Sequence, residues 1–244
     1  MNKVIHYCWF GNNPIPKKLQ QCMDSWRLVM PDYEIRRWDE TVFDVNSVQW
    51  TKEAYNKGKY AFVSDYVRLV ALYEYGGIYL DTDVKLIKDL EPLCREYPNF
   101  MGFENGKVLT SAVMCVEAKH PIIKDFLDYY TNKSFSSTIV EENEANVLMM
   151  TKVLERYGLR VDNSEQDVDV LPSPIHVFPR TYFCPLDFYH NKDFSSNTYA
   201  VHYFDASWLD CDTKTRIEKE RTVMYKVKSA ILQILSDIKH SISR

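Results

Sequence analysis

The spacing of hydrophobic and polar positions changes period repeatedly along the chain and marks out alternating strands and helices. Val4 to Phe10 (VIHYCWF) is an apolar, aromatic run closed by Gly11-Asn12-Asn13-Pro14, so it reads as a strand and a turn. From Pro16 to Val29, Leu19, Cys22, Met23 and Trp26 recur at intervals of three and four, the core face of a helix. Tyr33 to Trp38 (YEIRRW) alternates as a strand, which predicts a β-α-β opening with a parallel pair. Residues 60–75 carry the strongest helical pattern, with Phe62, Val63, Val67, Val70, Leu72 and Tyr73 on a broad apolar face stopped by Gly76-Gly77. Ile78 to Leu80 and Val84 to Ile87 read as strand. Asn99 to Glu104, Ser111 to Glu117 and Tyr199 to Phe204 are further predicted strands; Pro121 to Tyr130 and Glu144 to Tyr157 are predicted helices. The alternation predicts an α/β fold with a mostly parallel sheet flanked by helices. Two polar stretches, Lys133 to Thr138 and Asp162 to Asp169, are expected to be loops on the rim of a cleft.

Between two of these strands lies Asp81-Thr82-Asp83. Alternation sends Asp81 and Asp83 to one side and Thr82 to the other. Two carboxylates held close together at the end of a buried strand repel each other and are costly to desolvate. A hard divalent cation, Mn²⁺ or Mg²⁺, relieves that conflict and keeps open positions for phosphate oxygens. The segment therefore points to a metal–diphosphate site, with a nucleotide-sugar as the leading substrate. Asp65 and Arg68, at i and i+3, share one helix face. They either meet a polar ligand together or form an ion pair within the helix.

Composition narrows the class. The chain has 244 residues, 45% of them apolar and 14% aromatic, enough for one large core. A net charge of −4 argues against general nucleic-acid binding. The charge is uneven, because Lys214 to Arg244 holds eight Lys or Arg against three Asp or Glu. Within it, residues 216–242 repeat apolar side chains at helical spacing, which predicts a basic amphipathic helix. That helix either docks on an anionic membrane or packs on the protein or on another subunit. The six cysteines form no CxxC pair and are expected to be reduced thiols of a cytoplasmic protein. No signal peptide is evident at Met1, and no apolar run reaches the roughly 18 residues that span a bilayer.

The run SDYVRLVALYEYGGIYLDTD resembles the signature of glycosyltransferase family 32, the DXD-containing sugar transferases that include polysaccharide transferases and are related to clostridial glucosylating toxins. The opening IHYCWFG with YEIRRWDE, and the late HYFDASW, resemble the ends of the same pattern, so the resemblance covers about residues 3 to 210. It implies a GT-A-type, Rossmann-like domain over 1–212 and a tail over 213–244. The implied activity is metal-dependent, retaining transfer of a hexose from a UDP-sugar to a hydroxyl of a growing bacterial polysaccharide or lipid-linked glycan.

The resemblance places Asp81 near the ribose and the metal, Asp83 on the metal, and Asp65 and Arg68 at the donor sugar. It places Trp9 on the uracil ring, with the backbone near Tyr7 and Cys8 at the base edge. Ser207 and Trp208 would touch the β-phosphate and cap the nucleotide. His202 is a third metal ligand or a core histidine. Glu104, Asn105, Glu144 and Asn146 stay unassigned, because Ala145-Asn146-Val147 stands where the family often has Gly-Pro. Galactose, glucose and N-acetylglucosamine remain open as donors. Two rival readings use the same residues: a haloacid-dehalogenase-type phosphatase, from the LDTDV pattern, and a non-catalytic nucleotide- or glycan-binding module.

Overall fold

The computed structural model describes residues 2–135, 146–187 and 191–205, together with residues 215, 216, 219, 220 and 222. Ser207, Trp208, the 212/213 boundary and nearly all of the expected amphipathic tail lie outside the described residues, as does Glu144.

The strands are β1 (Val4–Cys8), β2 (Glu34–Trp38), β3 (Gly77–Leu80), β4 (Val84–Leu86), β5 (Phe100–Gly102), β6 (Val113–Val116), β7 (Gln166–Val168), β8 (Ile175–Phe178) and β9 (Ala200–His202). The helices are α1 (Lys17–Val29), α2 (Gln49–Asn56), α3 (Tyr60–Tyr75), α4 (Glu91–Glu96), α5 (Pro121–Asp128) and α6 (Asn146–Glu155). Seven strands form one sheet in the order β2-β1-β3-β6-β5-β8-β7, and β4 and β9 form a separate ribbon.

Alternation along the strands gives the sheet two apolar faces. Tyr79, Met114 and Val116 meet α2, α3, α5 and α6 on one face; Ile5, Tyr7, Ile78, Leu80, Val113 and Cys115 meet α1, α4 and the ribbon on the other. Cys22, Met23 and Trp26 are buried, as the helical spacing predicts. The five cysteines among the described residues are free thiols.

The expectation of a mostly parallel sheet is corrected: the sheet is mixed. The pairs β1/β2, β1/β3 and β5/β8 are parallel, whereas β3/β6, β5/β6 and β7/β8 are antiparallel. The physical reason is connection length. Between β5 and β6 the chain turns back through a Phe103–Leu109 bridge, too short for the helical crossover that a parallel pair needs. The Asp162 to Asp169 stretch is corrected too. It is no rim loop, because Gln166–Val168 becomes the outermost strand, β7. Of Lys133 to Thr138, residues 133–135 are described, and Ser134 and Phe135 bind Glu53 on α2.

The Gly76-Gly77 stop depends on glycine. Gly76 (φ +61°) and Gly77 (φ +99°) adopt the left-handed region, and a Cβ would stand 2.5 Å from Ala118 N at the first and 2.7 Å from Val4 O at the second. His6 on β1 pins this turn. Its Nε2 donates to Gly76 O (2.9 Å) while its Nδ1 accepts from Trp38 Nε1 (3.0 Å), which fixes a neutral tautomer. Burial depresses its pKa from 6.5 to about 4.

A pH dependence follows. Below pH 6.5 the unfolded chain protonates His6 and the folded chain does not, so stability falls with pH until about 4. The loss from this group should reach about 3 kcal/mol. Urea unfolding from pH 7 to 4 should show it, and a folded His6→Gln variant should have a shallower profile; identical slopes would refute the assignment.

Candidate active site

Five strands of the sheet, β2, β1, β3, β5 and β8, run in one direction, so their C-terminal ends share one edge. The candidate residues gather there, at the place where open α/β sheets bind ligands. β3 ends at Leu80, and Asp81 N still donates to Ala112 O at the start of β6 (2.9 Å). The chain then turns, with Val84 N donating to Asp81 O (3.0 Å). A β-turn, and not strand alternation, therefore brings Asp81 and Asp83 together.

The ribbon supplies the third member. Val84 pairs with His202 across β4/β9, and α1 fastens β4 through Trp26 Nε1 to Val84 O (2.8 Å) and Leu86 N to Ser25 Oγ (2.9 Å). Asp81, Asp83 and His202 each present a ligand atom within 4.8 Å of the others. His202 Nε2 lies 3.4 Å from Asp83 Oδ1, and Asp83 Oδ2 accepts from Asp205 N (2.8 Å). His202 Nδ1 is buried without a hydrogen-bond partner among the described residues; the Cys184 sulfur lies beside the ring, short of bonding geometry. Burial alone would raise Asp83 and depress His202. Their mutual attraction outweighs it, so Asp83 is held below the carboxylate range and His202 well above its ordinary value. Two carboxylate oxygens and one imidazole suit a Mn²⁺- or Mg²⁺-class ion, so the residues present fit such a group.

Beside this cluster, Arg68 is buried and every nitrogen of its guanidinium is engaged. Nη2 meets Asp65 (3.0 Å) and Asp81 (3.2 Å), Nη1 donates to Ser111 O (2.9 Å) and Oγ (2.5 Å), and Nε donates to Ser64 O (3.3 Å). The ion pair allowed by the i, i+3 spacing forms and extends to Asp81. Tyr79 adds its ring under the guanidinium (4.8 Å) and its hydroxyl to Asp81 (2.9 Å). Asp65 also accepts from Asn146 Nδ2 (2.8 Å) at the start of α6. Burial lifts Asp65 to about 6 against the opposing charge of Arg68. Burial likewise raises Asp81, again opposed by Arg68.

The remaining predicted residues are more scattered. Trp9 stands half-buried at the end of β1, its indole N–H donating to Asn13 O (2.8 Å). The Tyr7 side chain is in the core, edge-on to Trp26, which leaves only its backbone for a ligand. Asn105 is exposed and caps its own turn through Lys107 N. Tyr79 and Ser111 carried no motif signal and were missed by sequence reasoning. Asn146 was noticed without a role, because its contact with Asp65 spans 81 residues.

Removing the guanidinium should expose the logic of this network. Arg68→Met leaves two buried carboxylates uncompensated and should cost about 3–5 kcal/mol in urea unfolding. Asp65→Asn in the same chain should recover part of that loss; strict additivity of the two changes would refute the coupling.

Comparison with known proteins bears on the segment that carries the acidic turn. Residues 16–100 match the family described as "Glycosyltransferase sugar-binding region containing DXD motif". Inositol phosphoceramide mannosyltransferase 3 of Schizosaccharomyces pombe is 34% identical over 125 residues, 50% of this chain and 35% of the relative. Lactosylceramide 4-alpha-galactosyltransferase of Rattus norvegicus is 26% identical over 194 residues, 72% of this chain and 51% of the relative. The chain thus spans between a third and a half of the length of these curated relatives. Among solved structures, PaToxG Glycosyltransferase aligns with a TM-score of 0.47 at 20% identity, over 64% of this chain and 68% of that one. The matched segment holds helix α3 and the Asp81-Thr82-Asp83 turn, so the similarity to a DXD-containing glycosyltransferase sugar-binding region falls on the stretch that supplies Asp65, Arg68, Asp81 and Asp83.

Proposed function

We propose that the protein is a metal-dependent glycosyltransferase that moves a hexose from a UDP-sugar to a hydroxyl of a lipid-linked or polymeric glycan, with retention of configuration. The observation that carries this reading is the convergence of Asp81, Asp83 and His202 within 4.8 Å at the sheet edge, the two carboxylates lying inside the matched DXD segment and His202 reaching them from β9 outside it. Asp81, Asp83 and His202 would hold a Mn²⁺ or Mg²⁺ ion, which would supply Lewis-acid charge toward a diphosphate leaving group.

The chain's own groups do the rest. Arg68 holds Asp81 in place and offsets its charge, while Tyr79 orients it from below. Asp65, braced by Arg68 and Asn146, presents its remaining acceptor capacity to a hydroxyl of the donor sugar. Trp9 offers a ring for the uracil base at the end of β1, and the Tyr7–Cys8 backbone offers groups to the base edge. Ser207 and Trp208, which follow His202 in the sequence, are the residues this reading assigns to the β-phosphate and the nucleotide. The bond from the anomeric carbon to the diphosphate oxygen breaks, a bond to the acceptor oxygen forms on the same face of the sugar, and the acceptor hydroxyl's proton passes to the departing diphosphate.

Two relatives named for ceramide-linked substrates favour a lipid-linked acceptor, and the name 4-alpha-galactosyltransferase fits retention from an α-linked donor. No helix among the described residues is long and apolar enough to cross a membrane. The basic segment 213–244 then serves as a separate peripheral contact with the anionic surface that carries the acceptor. The phosphatase reading asks Asp81 to be a free nucleophile, whereas its carboxylate is bound by Arg68 and Tyr79.

Calorimetry and hydrolysis assays with Mn²⁺ and a panel of UDP-hexoses and GDP-mannose should show turnover of a UDP-hexose. Asp83→Asn should keep the fold by circular dichroism and lose turnover by orders of magnitude. Near-normal turnover in that variant would sink the metal site, and selective use of GDP-mannose would replace the uridine part of the reading. Trp9→Ala should weaken UDP binding roughly ten- to a hundredfold if the ring stacks on the base. Unchanged UDP affinity would return Trp9 to a packing role.

A further inference from the structure

One carboxylate at the same edge belongs to no network. Glu104 follows β5 by two residues, and the turn that carries it is pinned at several points. Glu104 N donates to Val108 O (2.8 Å), Thr110 N donates to Gly102 O (2.8 Å), and Asn105 Oδ1 accepts from Lys107 N (3.0 Å). Asn163, which also accepts from Arg180 N (2.9 Å), packs against Gly106. The position is therefore fixed by backbone and does not ride on a loose loop.

The side chain has a definite direction. Met101 and Phe103 belong to the cluster under α3, whereas Phe100 belongs to the opposite cluster and Gly102 lies against Phe183 there. The two-residue period puts Glu104 on the Phe100 side, with Cys184 and His202. Asp65 comes to the same edge from the other face of the sheet, on α3. The edge thus has one carboxylate on each flank, with Asp81, Asp83 and His202 between them. Two strand spacings separate β5 from β3, which sets Glu104 about 10 Å along the edge from Asp81.

Among the described residues, no hydrogen bond or ion pair engages the Glu104 carboxylate. Burial raises its pKa, His202 opposes that rise, and Asp81 and Asp83 add to it, so the group feels the metal cluster. Glu104 is half-buried, so its carboxylate keeps some access to solvent and its acceptor capacity is open to a ligand. Its ligand cannot be the diphosphate, because like charges would add to the repulsion. A neutral group with O–H donors, such as a sugar hydroxyl, suits an acceptor-only carboxylate at this place on the edge.

We propose that Glu104 is a specificity-determining residue of the donor site, its carboxylate accepting a hydrogen bond from a hydroxyl of the hexose on the flank opposite Asp65. The inference rests on the nucleotide-sugar reading and adds to it the residue that reads the sugar. A carboxylate accepts from hydroxyls and donates nothing, so sugars differing by one hydroxyl, or by its orientation, would be separated here.

The test uses the full chain, Glu104→Gln and Glu104→Ala, with isothermal titration of Mn²⁺ alone, of UDP with Mn²⁺, and of UDP-glucose, UDP-galactose, UDP-N-acetylglucosamine and GDP-mannose with Mn²⁺. For the nucleotide-sugar that the wild type binds, affinity relative to its own nucleoside diphosphate should fall about tenfold or more in both variants, the worth of one charge-assisted hydrogen bond. Affinity for Mn²⁺ and for the bare diphosphate should stay unchanged, and the ligand-free Glu104→Gln chain should melt no lower than the wild type. Equal weakening of diphosphate and nucleotide-sugar, a change in Mn²⁺ affinity, or a lower melting temperature would each overturn the proposal in favour of a metal or structural role. An unchanged ratio in the variants would overturn it while leaving the donor reading intact. A wild type that binds none of the nucleotides would overturn both.

Discussion

The candidate site depends on one buried guanidinium. Arg68 lies where α3, the end of β3 and the start of β6 meet, and it bonds to all three: to Asp65 on its own helix, to Asp81 after β3, and to Ser111 before β6. Asp65 passes the connection to Asn146 on α6. Carboxylates carried into a protein interior are expensive unless paired and hydrogen-bonded, and a planar, permanently charged group with five donors can satisfy several partners at once. Lysine could not hold this geometry. The network is therefore better understood as a device for placing Asp65 and Asp81 than as a source of net stability.

Charge is arranged in two compartments across the acidic turn. Asp81 faces the α3 side and is balanced by Arg68; Asp83 faces the ribbon and is balanced by His202 and the Asp205 amide. Burial pushes both carboxyls up; Arg68 only partly offsets this at Asp81, which stays raised, whereas His202 and the Asp205 amide bring Asp83 below the carboxylate range. Neighbouring acids can thus share one ligand while meeting different environments. Glu104 shares the field of both acids and of His202, and no ion pair engages it among the described residues.

Topology explains why so many chain segments meet at one edge. The short return from β5 to β6 reverses one strand, so the end of β5 and the beginning of β6 lie side by side with the end of β3. The β4/β9 ribbon then folds back under α1 and brings a residue 119 positions after Asp83 into contact with it. The Gly76-Gly77 bend starts β3 at the right height, and His6 secures that bend against β1 and Trp38.

By itself the sequence determined what depends on nearby residues. The helix over 60–75 shows its face and its glycine stop, and the i, i+3 spacing of Asp65 and Arg68 announces an interaction that does form. The two acids of DTD lie so close in the chain that their convergence could be foreseen, although a turn and not alternation brings it about. The short elements were harder to see. α2, α4, β7 and β8 are three to eight residues long, and their burial comes from partners far along the chain. The direction of β6 was misjudged because strand periodicity carries no sign of orientation. Only the tertiary structure could place His202 beside Asp83, Asn146 beside Asp65, and Glu104 on the flank of the cluster. Each placement is set by sheet order and crossing connections, and no local periodicity records which distant strand a residue will face.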